Sequence, residues 1–205
     1  FDSSGPTGLE NVTQRDKLIP RMTILQELSP QLKKKNSEYI EDAEVSMFCN
    51  TATGDIYEEF SFLPCAFRTN ILEWLPKRSG LAGIHGDNFD IFNQAERDEN
   101  GAFMLPNGNS LIECAEWYVL DLQNRNKPCF FSLSMTNMKS SKKLMTAITN
   151  EELERPDGSF FTPPLWYRTY KATPVERSSG VNDWFVCGFK PDVPVTEFDN
   201  AKELV

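Results

Sequence analysis

The chain has 205 residues, of which 40% are hydrophobic, so it is long enough to bury a sizeable core within one domain. Its apolar runs are far shorter than the roughly 20 residues that a membrane-spanning helix needs, which argues against membrane insertion. The formal net charge of −9 argues against a protein whose whole surface attracts nucleic acid, because Lys and Arg make most phosphate contacts.

The charges are unevenly distributed along the chain. Residues 87–121 contain eight acids and a single base, whereas residues 122–148 contain five bases and no acid. An acidic protein with this pattern can still present a local basic surface. The sequence therefore leaves nucleic-acid binding open at one part of the surface.

The N-terminal segment is rich in Gly, Ser, Thr and Asn, and residues 1–16 are expected to form a flexible arm. This arm shows no export signal, so the protein is expected to be intracellular. Residues 17–190 are expected to form a single β-rich domain, and residues 191–205 a proline-broken tail. Pro20 and Pro30 limit any helix at the start of the domain to a short segment.

Short β-branched and aromatic runs in residues 43–77 predict two or three strands, separated by the turn residues Asn50–Asp55 and by Pro64. Residues 80–110 are rich in Gly, Asn and Asp. They are predicted to form a long loop with one short helix around Phe92–Arg97.

Two hairpins are predicted in the second half of the chain. Residues 112–122 and 128–137 alternate in polarity and are joined by a polar turn. Residues 165–175 and 181–189 form the second pair, across a turn at residues 176–180.

One helix is predicted between these hairpins, over Lys142–Asn150. Ser140 or Ser141 would cap it, and its apolar residues fall on one face.

The predicted order is thus strands, a long loop, two strands, one helix and two strands. A helix between the third and fourth strands of a five-stranded barrel is the order of the OB-fold, which binds single strands or oligosaccharides on one face. We therefore expect a mainly β fold, an OB-fold-like β-barrel of about five to seven strands with one helix between the third and fourth core strands. A β-sandwich with a short helix is the alternative.

The segment LWYRTYK, residues 165–171, combines aromatic residues with bases. Alternation along a strand places Trp166, Arg168 and Tyr170 on one face, with Lys171 on the other. Single-strand binders need aromatic rings on which bases stack and cations that follow the backbone. The alternative is that one of these faces belongs to the core, since Trp and Tyr are often buried.

A second segment with the same combination, CAFRTNILEWLPKR, runs from residue 65 to residue 78. An edge strand protected by charged residues would have a similar composition. The candidate contacts that it supplies are Phe67, Arg68, Trp74, Lys77 and Arg78.

Lys139, Lys142 and Lys143 lie at the start of the predicted helix, where lysines and backbone N–H groups can hold a phosphate. The alternative is that they form an ordinary solvated helix face.

The sequence has no recognisable set of catalytic residues. It lacks calcium-loop spacing, a phosphate-binding glycine motif and a GxSxG nucleophile motif. The five cysteines are widely spread, and His85 is the only histidine that could activate one of them. We therefore predict no enzymatic activity, no metal site and no cofactor, with reduced and partly buried cysteines.

Several segments resemble a known family. IPRMTILQELSP, EYIEDAEVSMFCNTATGDIY, LPNGN, and MTNMKSSKKLMTAI followed by FTPPLWYRTYKATP are similar to proteins encoded among the replication genes of tailed phages, a family commonly taken to bind single-stranded DNA. The resemblance covers roughly residues 18–190. It implies an OB-type core, coating of single strands and no enzymatic turnover.

The predicted function is non-sequence-specific binding of single-stranded DNA in phage replication or recombination. The expected partners are single-stranded DNA and phage replication proteins, and the expected location is the cytoplasm of the infected bacterial host. A structural or protein-interaction protein of the virus particle is the first alternative. An enzyme that cleaves nucleic acid through Asp87 and Asp90 in the long loop is the second.

Overall fold

The architecture is that of a computed structural model, which describes residues 10–13, 16–180 and 182–195. This part of the chain contains thirteen β-strands and one α-helix. Eleven of the strands form one sheet, which curls into a half-barrel. In chain order the elements are β1 (Arg21–Ile24), β2 (Phe48–Asn50), β3 (Ile56–Tyr57), β4 (Phe60–Trp74), β5 (Leu81–Ile84), β6 (Glu96–Arg97), β7 (Phe103–Met104), β8 (Ser110–Asp121), β9 (Lys127–Ser134), α1 (Met138–Thr149), β10 (Leu153–Glu154), β11 (Phe160–Phe161), β12 (Arg168–Ser179) and β13 (Asn182–Pro194).

The main sheet runs in the order β13-β12-β4-β8-β9-β1-β2-β3. Strand β5 pairs with β4, the β6–β7 ribbon pairs with β8, and β10 and β11 form a separate two-stranded sheet. The pairing of β1 with β9 is parallel, while β4, β8, β9 and β12 pair with one another in antiparallel fashion. Both predicted hairpins are present, as β8–β9 and as β12–β13.

The longest strand, β4, contains a proline at the point where its pairing changes. Strand β12 pairs with β4 only over Phe60–Phe62, while β8 continues along it to Trp74. The register between β4 and β8 shifts between Pro64 and Ala66. Proline lacks an N–H group and is found at sheet edges and bulges. Pro64 lies at both.

Aromatic rings from β2, β4 and β9 form the centre of the core. The ring of Phe60 lies 5.4 Å from those of Phe62 and Phe131, and Phe48 lies 6.1 Å from Phe131. All four side chains are fully buried or nearly so, and burial of each stabilises the fold by about 1.5–3 kcal/mol. Leu144 of α1 packs against this cluster.

The predicted helix is present, and α1 begins earlier than predicted because a 3-10 turn at Met135–Asn137 leads into it. Ser141, predicted as a cap, is inside the helix and accepts a hydrogen bond from the Trp117 indole N–H at 2.9 Å. The Asn137 side chain accepts one from the Cys187 N–H at 2.8 Å, which ties the helix to β13. The described residues contain no helix long and apolar enough to cross a membrane.

A glutamine side chain just after β1 contacts the edge strand β13. The Gln26 amide donates to the Phe185 carbonyl oxygen and accepts from the Phe185 N–H, both at 2.9 Å. It therefore occupies backbone groups that the edge strand β13 would otherwise offer to a neighbouring strand.

The mainly β fold with one helix is confirmed, but the predicted count of five to seven strands is wrong. Strands β3, β6, β7, β10 and β11 have two residues each, which is too short for alternation to reveal them in a sequence. The OB-fold is not confirmed, since the observed sheet has eleven strands.

Residues 80–110, predicted as a long loop, carry three short strands and a 3-10 helix at Phe89–Gln94. Both ends of this segment form hydrogen bonds with Glu73 of β4. The Glu73 Oε2 atom lies 2.8 Å from His85 Nε2. Asn109 donates to Glu73 Oε1 at 2.5 Å. Hydrogen bonds from Asn109, His85 and Asn107 lower the pKa of Glu73.

The two ends of the predicted domain also differ from expectation. Residues 21–24 form β1, where the sequence allowed at most a short helix, because pairing with β2 and β9 overrides local preference. The predicted arm lies largely outside the described residues. Of the predicted tail, residues 191–194 belong to β13, and residues 196–205 lie outside the described residues.

Candidate nucleic-acid interface

A groove runs between α1 and the hairpin of β12 and β13. Lys139 and Lys143 of α1 line it together with Arg177 and Trp184 of the hairpin, and Lys142 lies beside them on the adjoining exposed surface of the helix. The part shared by the helix and the hairpin encloses about 380 Å³. We term this surface the basic groove, and its defining residues are Lys139, Lys142, Lys143, Arg177 and Trp184.

The sequence of α1 brings its three lysines to one face. Lys142 and Lys143 follow Lys139 by three and four residues, the spacing of neighbours on a helix surface. The buried side of the helix carries Leu144 and Ile148. The predicted cluster of lysines is therefore exposed and contiguous.

This arrangement is electrostatically unfavourable for an isolated helix. The lysines occupy the N-terminal half of α1, the end where the helix dipole favours anions, and the first turn contains no acid. Like charges at these spacings cost about 0.2–0.5 kcal/mol for each pair. A bound anion would offset both costs. The positions of the lysines therefore destabilise the isolated helix and are suited to binding an anion.

Arg177 and Trp184 are a cross-strand pair that the sequence interpretation missed. They are direct partners in the β12–β13 register. The sequence assigned residues 176–180 to the turn, whereas Ser179 already pairs with Asn182 around Gly180, whose φ is 64°. A serine–glycine pair between two alternating segments is a signal for such a tight turn, and it would have placed Arg177 in the strand.

The cations of the basic groove are not neutralised by the rest of the fold. Over residues 10–13, 16–180 and 182–195, no carboxylate lies within 4.0 Å of the charged groups of Lys139, Lys142, Lys143 or Arg177. The groove lining among these residues likewise contains no Asp or Glu. A chain with a net charge of −9 therefore presents a local surface of uncompensated positive charge.

Trp184 adds a second unusual feature. Its indole N–H is buried and has no hydrogen-bond acceptor within the part of the chain that the structure describes. An unsatisfied buried donor costs about 1–3 kcal/mol and is rare in folded proteins. The requirements of packing alone do not explain this donor.

The predicted contacts Phe67 and Arg68 point to opposite faces of β4. Phe67 is 38% exposed and packs against the buried Trp117, with ring centroids 4.8 Å apart. Arg68 lies on the other face of the sheet, where it pairs with Glu116. The two side chains therefore do not form one binding surface, because strand alternation separates them.

Arg68 belongs to a group of paired residues that we term the outer cluster. Its centre is the Glu116 carboxylate, only 3% exposed, which accepts from Arg68 Nε at 2.7 Å and from Arg21 Nη1 at 3.3 Å. The Asn70 amide donates to the same carboxylate. Both guanidinium groups lie 5.5 Å from the ring centroid of Phe130. Here the positive charges are engaged within the fold.

The predicted contacts at the end of β4 lie in different settings. Trp74 is half-buried at the last position of the strand. Lys77 and Arg78 follow in an exposed turn, both with left-handed backbone conformations. Arg78 Nη2 lies 3.2 Å from Met135 Sδ, beside the start of α1, so Arg78 is the member of this segment that borders the basic groove.

The predicted stacking face at residues 165–171 is not formed. Residues 165–167 form a 3-10 turn and β12 begins only at Arg168, so strand alternation does not extend to Trp166. Tyr170 is 2% exposed and belongs to the core, while Trp166 is half-buried in the turn.

The two bases of that segment are engaged by acids. Arg168 donates to Glu151 from Nε at 2.9 Å and from Nη2 at 2.5 Å, and Lys171 Nζ lies 3.5 Å from Glu59 Oε2. The segment therefore contributes less free positive charge than its sequence suggested.

Neither a thiol nucleophile nor a metal cluster is found among the described residues. Burial raises the pKa of Cys49 and Cys114 to about 11 and of Cys129 and Cys187 to about 12, and it also raises that of Cys65. The reactive thiolate form is therefore scarce. No three His, Cys, Asp or Glu side chains of these residues are grouped closely enough to hold a metal ion.

Comparison with known protein families gives a match. A family model described as Pam3 phage gp34-like protein matches residues 1–205, the whole sequence. No curated protein and no solved structure matches the chain. The expectation of a phage protein family is confirmed, and the family description names no activity.

Proposed function

Since the chain belongs to the Pam3 phage gp34-like family, we propose that it binds single-stranded DNA without sequence specificity and serves phage DNA replication or recombination. The observation that carries this proposal is the basic groove, where Lys139, Lys143 and Arg177 lie around a tryptophan, with Lys142 on the adjoining helix surface and no acidic partner for any of them among the described residues. An acidic surface repels DNA elsewhere, so the groove is the place where a strand can approach.

The composition of the groove favours a single strand over a duplex. A single strand offers phosphates to the cations and unstacked bases to the Trp184 ring, whereas the bases of a duplex are stacked against one another. Lysines act as point charges on phosphates and carry no base-specific pairing geometry. These properties support binding that tolerates any sequence.

The number of cations sets the expected salt dependence. Each phosphate that is neutralised on a single strand contributes about −0.7 to the slope of log affinity against log salt. Engagement of Lys139, Lys142, Lys143 and Arg177 therefore predicts a slope of about −3.

The test is a titration of a labelled thymidine strand of about 30 nucleotides, which spans several site sizes of typical single-strand binders, with duplex as competitor. We expect Lys143→Glu combined with Arg177→Glu to weaken binding by about 100-fold or more and to flatten the salt slope. Arg125→Glu combined with Lys127→Glu is the matched control. It changes the net charge equally at the other end of β9 from α1.

The outcomes are distinct. Salt-sensitive binding that duplex does not displace, lost in the groove variant and retained in the control, supports the proposal. Absence of binding at low salt overturns it. Equal losses in both variants would show that net charge matters and that the groove does not.

A second candidate function is a structural or protein-interaction protein of the phage particle. The observation that favours it is the outer part of the β12–β13 hairpin. Strand β12 pairs with β4 only as far as Ala172, and Thr173–Ser179 pair solely with β13 among the described strands. An exposed ribbon of this kind can add to a strand of another protein. Copurification with particles in fixed proportion, together with indifference to DNA, would support this candidate.

A further inference from the structure

An apolar pocket adjoins the basic groove and shares two of its cations. It encloses about 270 Å³ beneath α1 and the β12–β13 hairpin. Its walls are formed by Ala147, Val175, Phe189 and Pro191, and Lys143 and Arg177 belong both to this pocket and to the groove. None of the described residues that line it is acidic.

We propose that this pocket accepts one nucleobase of a bound strand while Lys143 and Arg177 hold the adjoining phosphate. The inference rests on the proposed function, because it assigns a role to a particular part of the same interface. The volume lies just below the roughly 300 Å³ at which pockets for drug-sized ligands begin, which suits a single base and excludes a dinucleotide.

The chemistry of the pocket matches a base attached to a phosphate. Phe189 supplies an aromatic wall against which a base can pack, and the aliphatic walls exclude water. Ser140 also lines the pocket, and its hydroxyl forms no hydrogen bond with another of the described residues. A hydroxyl both donates and accepts, so it can pair with the edge of any base. The cations at the rim thus match the phosphate of a nucleotide, and the apolar walls behind them match its base.

The pocket can be filled without changing any charge. Ala147 is exposed at its rim, so Ala147→Phe would occupy the space, with Ala147→Leu as a milder version. Thr149→Phe is the matched control, because it adds the same ring to an exposed position of α1 that lines no pocket described above. Thermal melting of each variant establishes that it is folded.

The experiment compares a thymidine strand with an abasic strand of the same length, which has the same phosphates and no bases. We expect the wild-type protein to bind the thymidine strand at least about tenfold more tightly, since one base–aromatic contact in the pocket is worth about that factor and stacking on Trp184 adds to it. Ala147→Phe should lower this preference by about tenfold, leaving only what stacking on Trp184 contributes, and the affinity for the abasic strand should stay unchanged. Thr149→Phe should behave as wild type.

Failure of this inference is distinguishable from failure of the proposed function. If both strands bind equally well to the wild type, or if a folded Ala147→Phe or Ala147→Leu variant keeps the full preference, the base pocket is wrong. The groove proposal stands in that case, provided that binding still depends on Lys143 and Arg177. If neither strand binds at low salt, both proposals are overturned.

Discussion

The basic groove and the outer cluster are built from the same kinds of residue and differ in one respect. Each combines cations with an aromatic ring, Trp184 in the groove and Phe130 in the cluster. In the cluster the buried Glu116 accepts hydrogen bonds from both arginines. In the groove no carboxylate of the described residues lies within ion-pair distance of the cations.

This difference decides what each region can do. Arginines held by a buried carboxylate have already exchanged their hydration for partners within the protein, so a ligand must compete with those partners. Unpaired cations on an exposed face lose nothing when a phosphate arrives, and they release counterions from it. A composition of bases and aromatic residues is therefore a poor guide to binding unless the positions of the acids are known.

The largest expected effect is on the stability of the outer cluster. Glu116→Ala removes the acceptor shared by Arg21, Arg68 and Asn70, and we expect it to lower the free energy of unfolding by about 2–3 kcal/mol. The two arginines are half-exposed and regain water, which keeps the loss below that of a fully buried pair. Urea denaturation measures the change, and DNA affinity should remain within about threefold of wild type. A loss of affinity without a loss of stability would reverse the roles assigned to the two regions.

A smaller effect separates the two indole groups near α1. Trp117→Phe removes a hydrogen bond to Ser141 from a fully buried side chain, whereas Trp184→Phe removes a donor that has no acceptor among the described residues. We expect Trp117→Phe to cost more than Trp184→Phe by about 1 kcal/mol or more. Thermal or urea denaturation of both variants provides the comparison. Equal costs would show that the Trp184 N–H has a partner that the present geometry does not reveal.

Local pattern was sufficient for the parts of the fold that depend on neighbours in sequence. The β8–β9 hairpin followed from alternation and a polar turn, and the helix followed from the apolar spacing of Leu144 and Ile148. The lysine face of α1 followed from the same spacing. Each of these features is encoded within about a dozen residues, so a single sequence suffices to predict it.

Features that depend on distant contacts could not be predicted. Gln26 forms a hydrogen bond with Phe185, which is 159 residues away, and no local sequence pattern predicts this contact between the β1 region and β13. Tyr170 is buried because its ring packs against Phe62 of β4, with ring centroids 6.2 Å apart, and Arg168 is neutralised by Glu151, 17 residues away. The sequence thus predicted only the helical side of the candidate interface. Its helix was identified from spacing, whereas Arg177 and Trp184 required the strand register.

A buried carboxylate without a cation provides a further contrast with Glu116. Asp121 is 1% exposed and accepts hydrogen bonds from the Gln123 N–H at 3.0 Å and the Tyr57 hydroxyl at 3.1 Å. Burial raises its pKa, an effect that these hydrogen bonds partly oppose and that the nearby Asp55 reinforces. The folded state therefore favours the protonated form, and ionisation destabilises the fold increasingly as the pH rises through the folded pKa.

Asp121→Asn should consequently raise the melting temperature at neutral pH by a few degrees at most. The gain should shrink towards about pH 4, where the wild-type carboxyl becomes protonated in the unfolded chain as well. Melting curves of both proteins between about pH 4 and pH 8 test this. If the increase in melting temperature is the same at every pH in this range, the asparagine stabilises the fold through packing, and the ionisation of Asp121 does not affect stability.

The smallest expected effect is the most informative about the groove. Lys143→Ala combined with Arg177→Ala should change the free energy of unfolding by no more than about 0.5 kcal/mol, since neither charged group has an acidic partner among the described residues. Any change at low salt should be a slight gain, because removal of like charges reduces their mutual repulsion, and added salt should abolish it. Urea denaturation at low and high salt measures both. A loss above about 1 kcal/mol would mean that these cations support the fold as Arg21 and Arg68 do, and it would remove the reason for assigning them to a ligand.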